Sequence, residues 1–251
     1  MPTAWQSSEL NDPHARSDKA GKVRGMFAAI ASSYDLNNRL HSLWQDQAWR
    51  RFAVRAAAVK PTDVVLDVAC GTGDLTRALA KGGAARVTGL DFTREMLDIA
   101  DRKRVAAARG PLHDRINYLE GDAQALPFPD ASFDILSIAF GIRNVQDPAI
   151  ALAEFRRVLK PGGRLIVLEF DKPTLPLVGA LSDFYTRKIM PITATLISGD
   201  RSGAYKYLPA SVATFMDRSV LGALILRSGF QDLKQTGLSL GVCVCHRAVA
   251  V

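Results

Sequence analysis

Residues Val64-Val65-Leu66-Asp67-Val68-Ala69-Cys70-Gly71-Thr72-Gly73-Asp74, followed by Gly89-Leu90-Asp91, constrain this chain more than any other stretch. The pattern is an apolar run of strand length, a glycine turn, a helix, and a second strand ending in a carboxylate. A strand apolar along its length is buried on both faces, as in a parallel sheet covered by helices. In such sheets the turn after the first strand is where nucleotide-type cofactors bind. A strand followed by an ordinary helix cap would reproduce part of this pattern, but not the carboxylate at the end of the second strand.

The details of the turn bear on which cofactor it serves. In a G-x-G-x-x-G loop, three glycines let the backbone and the helix N-terminus close on a pyrophosphate. Here the turn opens as Gly71-x-Gly73, but Thr76 occupies the third glycine position. A ligand without phosphates does not need that third close approach. S-adenosylmethionine, an adenosine carrying a sulfonium and a zwitterionic amino acid, is such a ligand. Asp91 lies 20 residues beyond Gly71, where an acidic side chain can accept hydrogen bonds from ribose hydroxyls. Asp67, inside an apolar strand, suits a group facing the ligand's ammonium or a loop amide.

The chain has 251 residues, enough for one large domain with a substantial core. Its 32 Lys and Arg against 25 Asp and Glu leave a net charge of +7, which favours anionic surfaces such as nucleic acid or lipid headgroups. Three cysteines without paired spacing point to a reducing, cytoplasmic setting. Cys243, Cys245 and His246 are one ligand short of a closed zinc site, so core or surface thiols are the better reading and no metal is implied. Asp122, Asp130 and Asp134 match no metal-ligand spacing either. Residues 1–22 are polar, contain Glu9, Asp12 and Asp18, and lack an apolar signal core; they read as a disordered lead-in. No stretch approaches 18 uninterrupted apolar residues, so no transmembrane helix is expected.

Residues 23–58 read as helical, with Phe27, Ile30, Ala31 and Tyr34 at helical spacing. Strands are expected at 64–68, 86–90, 115–119, 133–139 and 164–170, with helices at 75–81, 94–108 and from Asp147-Pro148 to a stop at Lys160–Gly163. That alternation means a parallel sheet covered on both faces, with ligands beyond the carboxyl ends of the strands. Two further strand-like runs, 230–235 and 238–246, meet at a Thr236-Gly237 hairpin and add an antiparallel edge strand. Residues 174–198 are rich in Leu, Ile, Val, Phe and Met, and carry only Asp183, Arg187 and Lys188 as charges. Covering helices and a lid meeting a greasy substrate or a bilayer fit that composition equally.

These residues resemble class I S-adenosylmethionine-dependent methyltransferases: Val64–Gly73, Asp91 and the expected strand order carry the likeness. From about Val23 onward the chain resembles, more narrowly, the menaquinone/ubiquinone-biosynthesis C-methyltransferases. The specific matches are Tyr34-Asp35-Leu36-x-Asn38 with Trp49-Arg50, the loop Cys70–Thr76, Ala125–Pro129, and Phe140-Gly141-Ile142-Arg143-Asn144-Val145. Arg157–Arg164 running into Leu168-Glu169-Phe170, Tyr205-x-Tyr207-Leu208, and Gly241-Val242 with His246-Arg247 complete them. The resemblance implies a Rossmann-like α/β domain over 23–251, with a mostly parallel seven-stranded sheet and an antiparallel edge strand. Helices at 23–60 would lie over the site, and 174–210 would form a helical lid insertion. It further implies S-adenosylmethionine as cofactor, Asp91 at the ribose, and Asp122 and Ala123 beside the adenine. Gly71, Thr72 and Gly73 would line the methionine portion, Tyr34 and Asn38 would close over the cofactor, and Asp67, Phe92 and Ala139 would also contact it.

Departures from the family pattern fall near the expected entrance. Where the family has Ser-Phe-Gly-x-His, this chain reads Ser42-Leu43-Trp44-Gln45-Asp46. Ala139 stands where a Ser is common, and Cys70 replaces a small loop residue.

The implied reaction is C-methylation of a polyprenyl quinol such as demethylmenaquinol. A free phenol has a pKa of about 10, so a cation that favours the phenolate would help. Arg143 is the catalytic candidate, oriented by Asn144; a structural bridge from Arg143 to a neighbouring carboxylate is the alternative. A methyltransferase with another lipophilic or phenolic acceptor, and a non-catalytic scaffold, are the competing functions. Nucleic acid is not expected as a partner, because no groove-reading element accompanies the charge. A cytoplasmic enzyme touching the inner membrane peripherally through 174–198 is expected, with a homodimer left open.

Overall fold

The computed structural model describes residues 4–106, 114–173, 175–200 and 202–251. In chain order the elements are α1 (Lys19–His41), α2 (Gln45–Ala57), β1 (Val64–Val68), α3 (Asp74–Lys81), β2 (Arg86–Asp91), α4 (Arg94–Ala106) and β3 (Ile116–Glu120). There follow β4 (Phe133–Ala139), α5 (Pro148–Val158), β5 (Leu159–Phe170), α6 (Pro176–Phe184), α7 (Met190–Ser198), α8 (Ala204–Thr214), α9 (Arg218–Arg227), β6 (Phe230–Leu238) and β7 (Cys243–Ala250).

One seven-stranded sheet runs in the order β3-β2-β1-β4-β5-β7-β6. The first five strands in that order pair parallel, and β7 runs against both β5 and β6. The antiparallel strand therefore sits one place in from the edge that β6 forms. Strand order reverses between β1 and β4, opening a crevice at their carboxyl ends.

The two-residue period of a strand divides the core cleanly. Leu66, Val68, Leu136, Ile138, Leu165 and Val167 face α5 and α9 on one side. Val65, Ile135, Ile166 and Leu168 face α2 and α3 on the other, together with the buried thiols Cys243 and Cys245. Asp147 caps α5 by accepting from the backbone N–H groups of Ala149 and Ile150, with Pro148 at the first helical position.

Three local expectations are corrected. Residues 4–22 are not a disordered lead-in. Trp5 is buried and stacks on Tyr207 with ring centroids 4.6 Å apart, Ser7–Asn11 form a 3-10 turn, and α1 already begins at Lys19. Lys22 anchors this segment on Glu9, and the Lys19 ammonium donates to the carbonyl of Val145 at 2.6 Å. A single aromatic anchor with two buried lysine contacts thus overrides a polar composition.

The helical run 23–58 is two helices, broken where Leu43 and Trp44 take left-handed backbone (φ 51° and 60°). Lys160–Gly163 lie inside β5 rather than closing α5, because the residue before Pro161 is driven to extended geometry. The last hairpin turns at Ser239–Gly241, not Thr236-Gly237; the Ser239 hydroxyl is held there by the indole N–H of Trp49 at 2.8 Å.

The expected helix over 94–108 is seen to Ala106, and its last two residues lie outside the described residues. In the expected insertion 174–210, Thr174 and Arg201 likewise lie outside them. The rest forms α6, a π-helical turn at Tyr185–Ile189, α7 and the start of α8. The π-turn is joined to the end of α1, where the Tyr185 hydroxyl and His41 Nδ1 lie 2.9 Å apart.

Candidate active site

At the end of β1 the backbone turns through three left-handed residues, Ala69 (φ 51°), Gly71 (φ 55°) and Gly73 (φ 79°). Gly73 is forced: a Cβ there would lie 2.2 Å from the hydroxyl of Tyr118. At Gly71 a Cβ would meet nothing within 4 Å, so this glycine leaves room for a ligand rather than for the protein. Three of the loop's amides are spent internally. Cys70 N–H donates to the Leu90 carbonyl (3.0 Å), Gly71 N–H to Asp91 Oδ2 (2.8 Å), and Gly73 N–H to the Cys70 carbonyl (3.0 Å). A phosphate-binding loop would hold such donors free for its anion. Asp74 at the first position of α3 opposes an anion there as well.

Thr76, in the place of the third glycine, has a different task. Its hydroxyl donates to Asp67 Oδ2 at 2.6 Å, and Ser137, the register partner of Asp67 on β4, donates to Oδ1 at 2.6 Å. Two hydroxyls thus satisfy a carboxylate that is 1% exposed. Burial still outweighs them and pushes the Asp67 carboxyl up to about 6.

The main cleft, about 670 Å³ of open space, lies beyond β1, β2 and β4. Asp91, Phe92, Ala123, Gly71, Ala139, Asn144 and Tyr34 all line it, as does Ala20 from the N-terminal segment. Asp91 Oδ1 accepts from Thr93 N–H at 2.9 Å and Oδ2 from Gly71 N–H. Each oxygen keeps lone-pair capacity toward the cleft. Burial raises the Asp91 carboxyl above its ordinary value, against the opposing pull of those backbone donors. Of the remaining expected residues, Asp122 is exposed and folds back on Gln124, while its neighbours Gly121 and Ala123 reach the cleft. Asn38 lines neither cavity; it hydrogen-bonds Tyr34, which lines both.

Arg143 is brought to the strand ends but not into the lining. Its Nη1 donates to Glu169 Oε1 at 2.6 Å and to the Phe140 carbonyl at 2.8 Å, and its guanidinium lies over the Phe170 ring. The bridge to a neighbouring carboxylate is the arrangement seen. Asn144 donates to the same Phe140 carbonyl at 3.1 Å and accepts from the Tyr207 hydroxyl at 2.9 Å. Two donors therefore hold Phe140, a left-handed non-glycine residue (φ 57°), at the wall of the cleft.

A second, smaller cavity of about 320 Å³ adjoins the first and shares Tyr34, Ala69, Gly71 and Ala139 with it. Asp67, Thr72, Asp74, Cys70 and Arg50 complete most of its wall. Thr72 donates to Asp35 Oδ1 at 2.6 Å, tying the loop to α1, and Asp35 is paired with Lys103 of α4. Burial opposes ionisation of Asp74, but Lys103, Arg50 and Arg39 outweigh it and hold the carboxyl down at about 2. Burial keeps the Cys70 thiol well above its ordinary value, which makes it a packing group. Sequence reasoning assigned no role to Arg50, Asp46 or Glu169; Trp49-Arg50 and Leu168-Glu169-Phe170 were visible as motifs, but not what they touch.

The model of the ubiE/COQ5 methyltransferase family matches residues 15–250. The chain belongs to that family. It is 41% identical over 235 residues to the ubiquinone/menaquinone biosynthesis C-methyltransferase UbiE of Geobacter sp. (strain M21), covering 93% of this chain and 98% of the relative. It is 40% identical to the demethylmenaquinone methyltransferase of Clavibacter sepedonicus, covering 93% and 92%. Among solved structures, a SAM-dependent methyltransferase of Thermotoga maritima, described as a possible histamine N-methyltransferase, superposes with a TM-score of 0.64. It is 21% identical and covers 91% of this chain and 100% of its own, which speaks to the fold.

S-adenosylmethionine fits the residues present. The open space at Gly71, a buried carboxylate with spare acceptors at Asp91, and loop amides closed to phosphate match an adenosyl ligand without one. Residues of the family's loop would hold it: Asp91 at the ribose, Phe92 and Ala123 around the base, and Gly71–Gly73 at the amino-acid end.

Two outcomes follow from this geometry. Asp91→Ala removes a charged acceptor worth about 1.5–3 kcal/mol. S-adenosylhomocysteine affinity, measured calorimetrically, should fall roughly 10–100-fold; unchanged binding would sink the ribose assignment. Asp67, with its native pKa raised, binds a proton in the folded state at pH values where the unfolded chain has released it. Its contribution to stability is therefore lost as pH rises from about 4 to about 6. Asp67→Asn should gain on the wild type by about 2 kcal/mol between pH 4.5 and 7.5 in urea unfolding. A pH-independent difference would mean that Asp67 stays ionised throughout.

Proposed function

We propose that this enzyme transfers the methyl group of S-adenosylmethionine to a ring carbon of a polyprenylated quinol, completing a menaquinone or ubiquinone precursor. The observation that carries this reading is a largely apolar cleft built against the cofactor loop, in a chain about 40% identical to quinone-biosynthesis C-methyltransferases along nearly its full length. When bound, the cofactor supplies an electrophilic methyl group on a sulfonium. The protein's share is to bind, orient and exclude water.

Phe27, Tyr34, Met96 and Phe140 give the cleft apolar walls that suit a planar ring. Ala20 of α1, whose N–H donates to the Gln146 side chain, and Gln146 itself help close it from water. Holding the two reacting partners in line is the dominant service such a site can render, up to about 7–11 kcal/mol in favourable cases. Arg143 serves that end by position. Glu169 neutralises its charge, so it offers little field to a phenolate, but with Asn144 it locks the Phe140 turn that borders the acceptor space. The amide of Asn144 is the polar group that would meet the quinol oxygen.

A polyprenylated acceptor resides in a bilayer, and one face of the molecule suits contact with it. Leu177, Leu181, Phe184, Ile192 and Leu196 of α6 and α7 are all more than half exposed, as are Leu43 and Trp44, which follow α1 in the chain. An exposed apolar surface of this kind on a chain of net charge +7 fits an anionic lipid surface. No single helix among the described residues is long and apolar enough to cross a membrane. The helical insertion would then act as a peripheral lid through which the acceptor enters.

A labelled methyl donor offered with demethylated naphthoquinol and benzoquinol should label at least one of them at carbon. Label in neither, with cofactor binding intact, would exclude the quinol acceptor. Sedimentation with anionic liposomes should carry the protein down at low salt. Leu181→Glu with Leu196→Glu should leave most of it in the supernatant, and a wild type that stays in solution would exclude the membrane face.

A further inference from the structure

The amino-acid end of the cofactor carries a carboxylate, and something in the site must receive it. The glycine loop has little to offer it, because the amides of Cys70, Gly71 and Gly73 are already committed to Leu90, Asp91 and Cys70. Asp74 and Asp67, which face the second cavity, would repel it. Among the described residues lining either cavity, Arg50 is the one cation.

We propose that Arg50 of α2 is the cofactor-carboxylate receptor of this enzyme, and that Asp46 is the positioning residue that aims it. The proposal rests on S-adenosylmethionine being the cofactor. Arg50 is 8% exposed, and only its Nη1 is engaged, donating to the carbonyl (3.1 Å) and Oδ2 (2.9 Å) of Asp46. No protein acceptor among the described residues takes its Nε or Nη2, and the guanidinium lies over the Phe140 ring, with Cζ 5.4 Å from its centroid. A planar fork tied back through one nitrogen, on a residue that lines the cavity, is suited to a carboxylate.

Asp46 is itself 4% exposed and accepts from Arg39 Nη1 (2.6 Å), Gln47 Nε2 (2.8 Å) and the Ser42 hydroxyl (3.0 Å). Its place in the first turn of α2 favours a negative charge. Arg39 continues from Asp46 to Asp74 at the head of α3. Asp46 thus fixes Arg50 from behind while the adjoining ion pairs fasten α2 to the cofactor loop. The departure from the family's usual histidine at this position becomes intelligible: a carboxylate can clamp two arginines at once.

The test compares two ligands by calorimetry, S-adenosylhomocysteine and its decarboxylated analogue, which keeps the amine and lacks only the carboxylate. The wild type should prefer the former by roughly 10–100-fold, the range of a charged hydrogen-bonded contact. Arg50→Met should weaken S-adenosylhomocysteine by that factor, change the decarboxylated analogue by less than about threefold, and so abolish the preference. Arg50→Lys should keep part of it, and Asp46→Asn should reduce it with the analogue still bound, which a merely structural role would not produce.

Equal loss for both ligands in Arg50→Met, or a preference that survives that substitution, would overturn the proposal. If Arg50→Met does not fold, the preference measured in Arg50→Lys and Asp46→Asn decides in the same way. A wild type that binds neither ligand would instead remove the cofactor reading on which the proposal stands.

Discussion

Two strands of this sheet end in left-handed backbone at the same edge of the molecule, and the site is organised around holding those turns. Ala69 and Phe140 both have positive φ without being glycine, a conformation that costs of order 1–3 kcal/mol at each position. The compensation is local and polar. Asp91 and the Leu90 carbonyl clamp the loop after β1. Leu168 accepts from the Phe140 N–H, while Arg143 and Asn144 donate to its carbonyl. Each clamp belongs to a neighbouring strand or its extension, so the cleft exists only when the sheet has assembled.

The same economy governs charge. The chain is basic overall, yet around the cleft its cations are paired: Arg143 with Glu169, Lys103 with Asp35 and Asp74, Arg39 with Asp46 and Asp74. A buried unpaired charge would cost several kcal/mol, so each pair mainly avoids a penalty and fixes geometry. Arg50 is paired with Asp46 as well, but through Nη1 alone, and it lines a cavity. Asp67 differs, being satisfied by two hydroxyls with its carboxyl raised by burial to about 6. Around one ligand-sized space the protein thus sets a cation with donors to spare beside acids that are already hydrogen-bonded.

Leu43 and Trp44 show how a sequence departure can be structural and functional at once. Trp44 occupies a left-handed position that a glycine would take without strain, and the backbone there is fixed by its N–H donating to the Arg39 carbonyl at 2.9 Å. The indole is left more than half exposed, adding to the apolar surface. The neighbouring change to Asp46 adds an acceptor for two arginines.

Periodicity and turn chemistry made much legible in advance, because they are local. The apolar runs at 64–68 and 133–139, the cap at Asp147-Pro148 and the glycine turn needed only neighbouring residues to be read. Motif spacing named the family, and Asp91, Phe92, Ala123, Gly71 and Tyr34 do meet in one cleft. What a side chain touches across the fold was not legible. Thr76 appeared only as a missing glycine until Ser137, 61 residues away, met the same carboxylate. For Arg143 the sequence left a catalytic cation and a carboxylate bridge both open until Glu169 arrived beside it, and residues 4–22 looked disordered until Tyr207 supplied a ring for Trp5. Local sequence carries backbone preference and burial pattern, whereas the partner of a buried polar group is set by packing between distant elements. Element order, loop chemistry and family were therefore written in the chain; which charges pair and which remain for a ligand was decided by the tertiary structure.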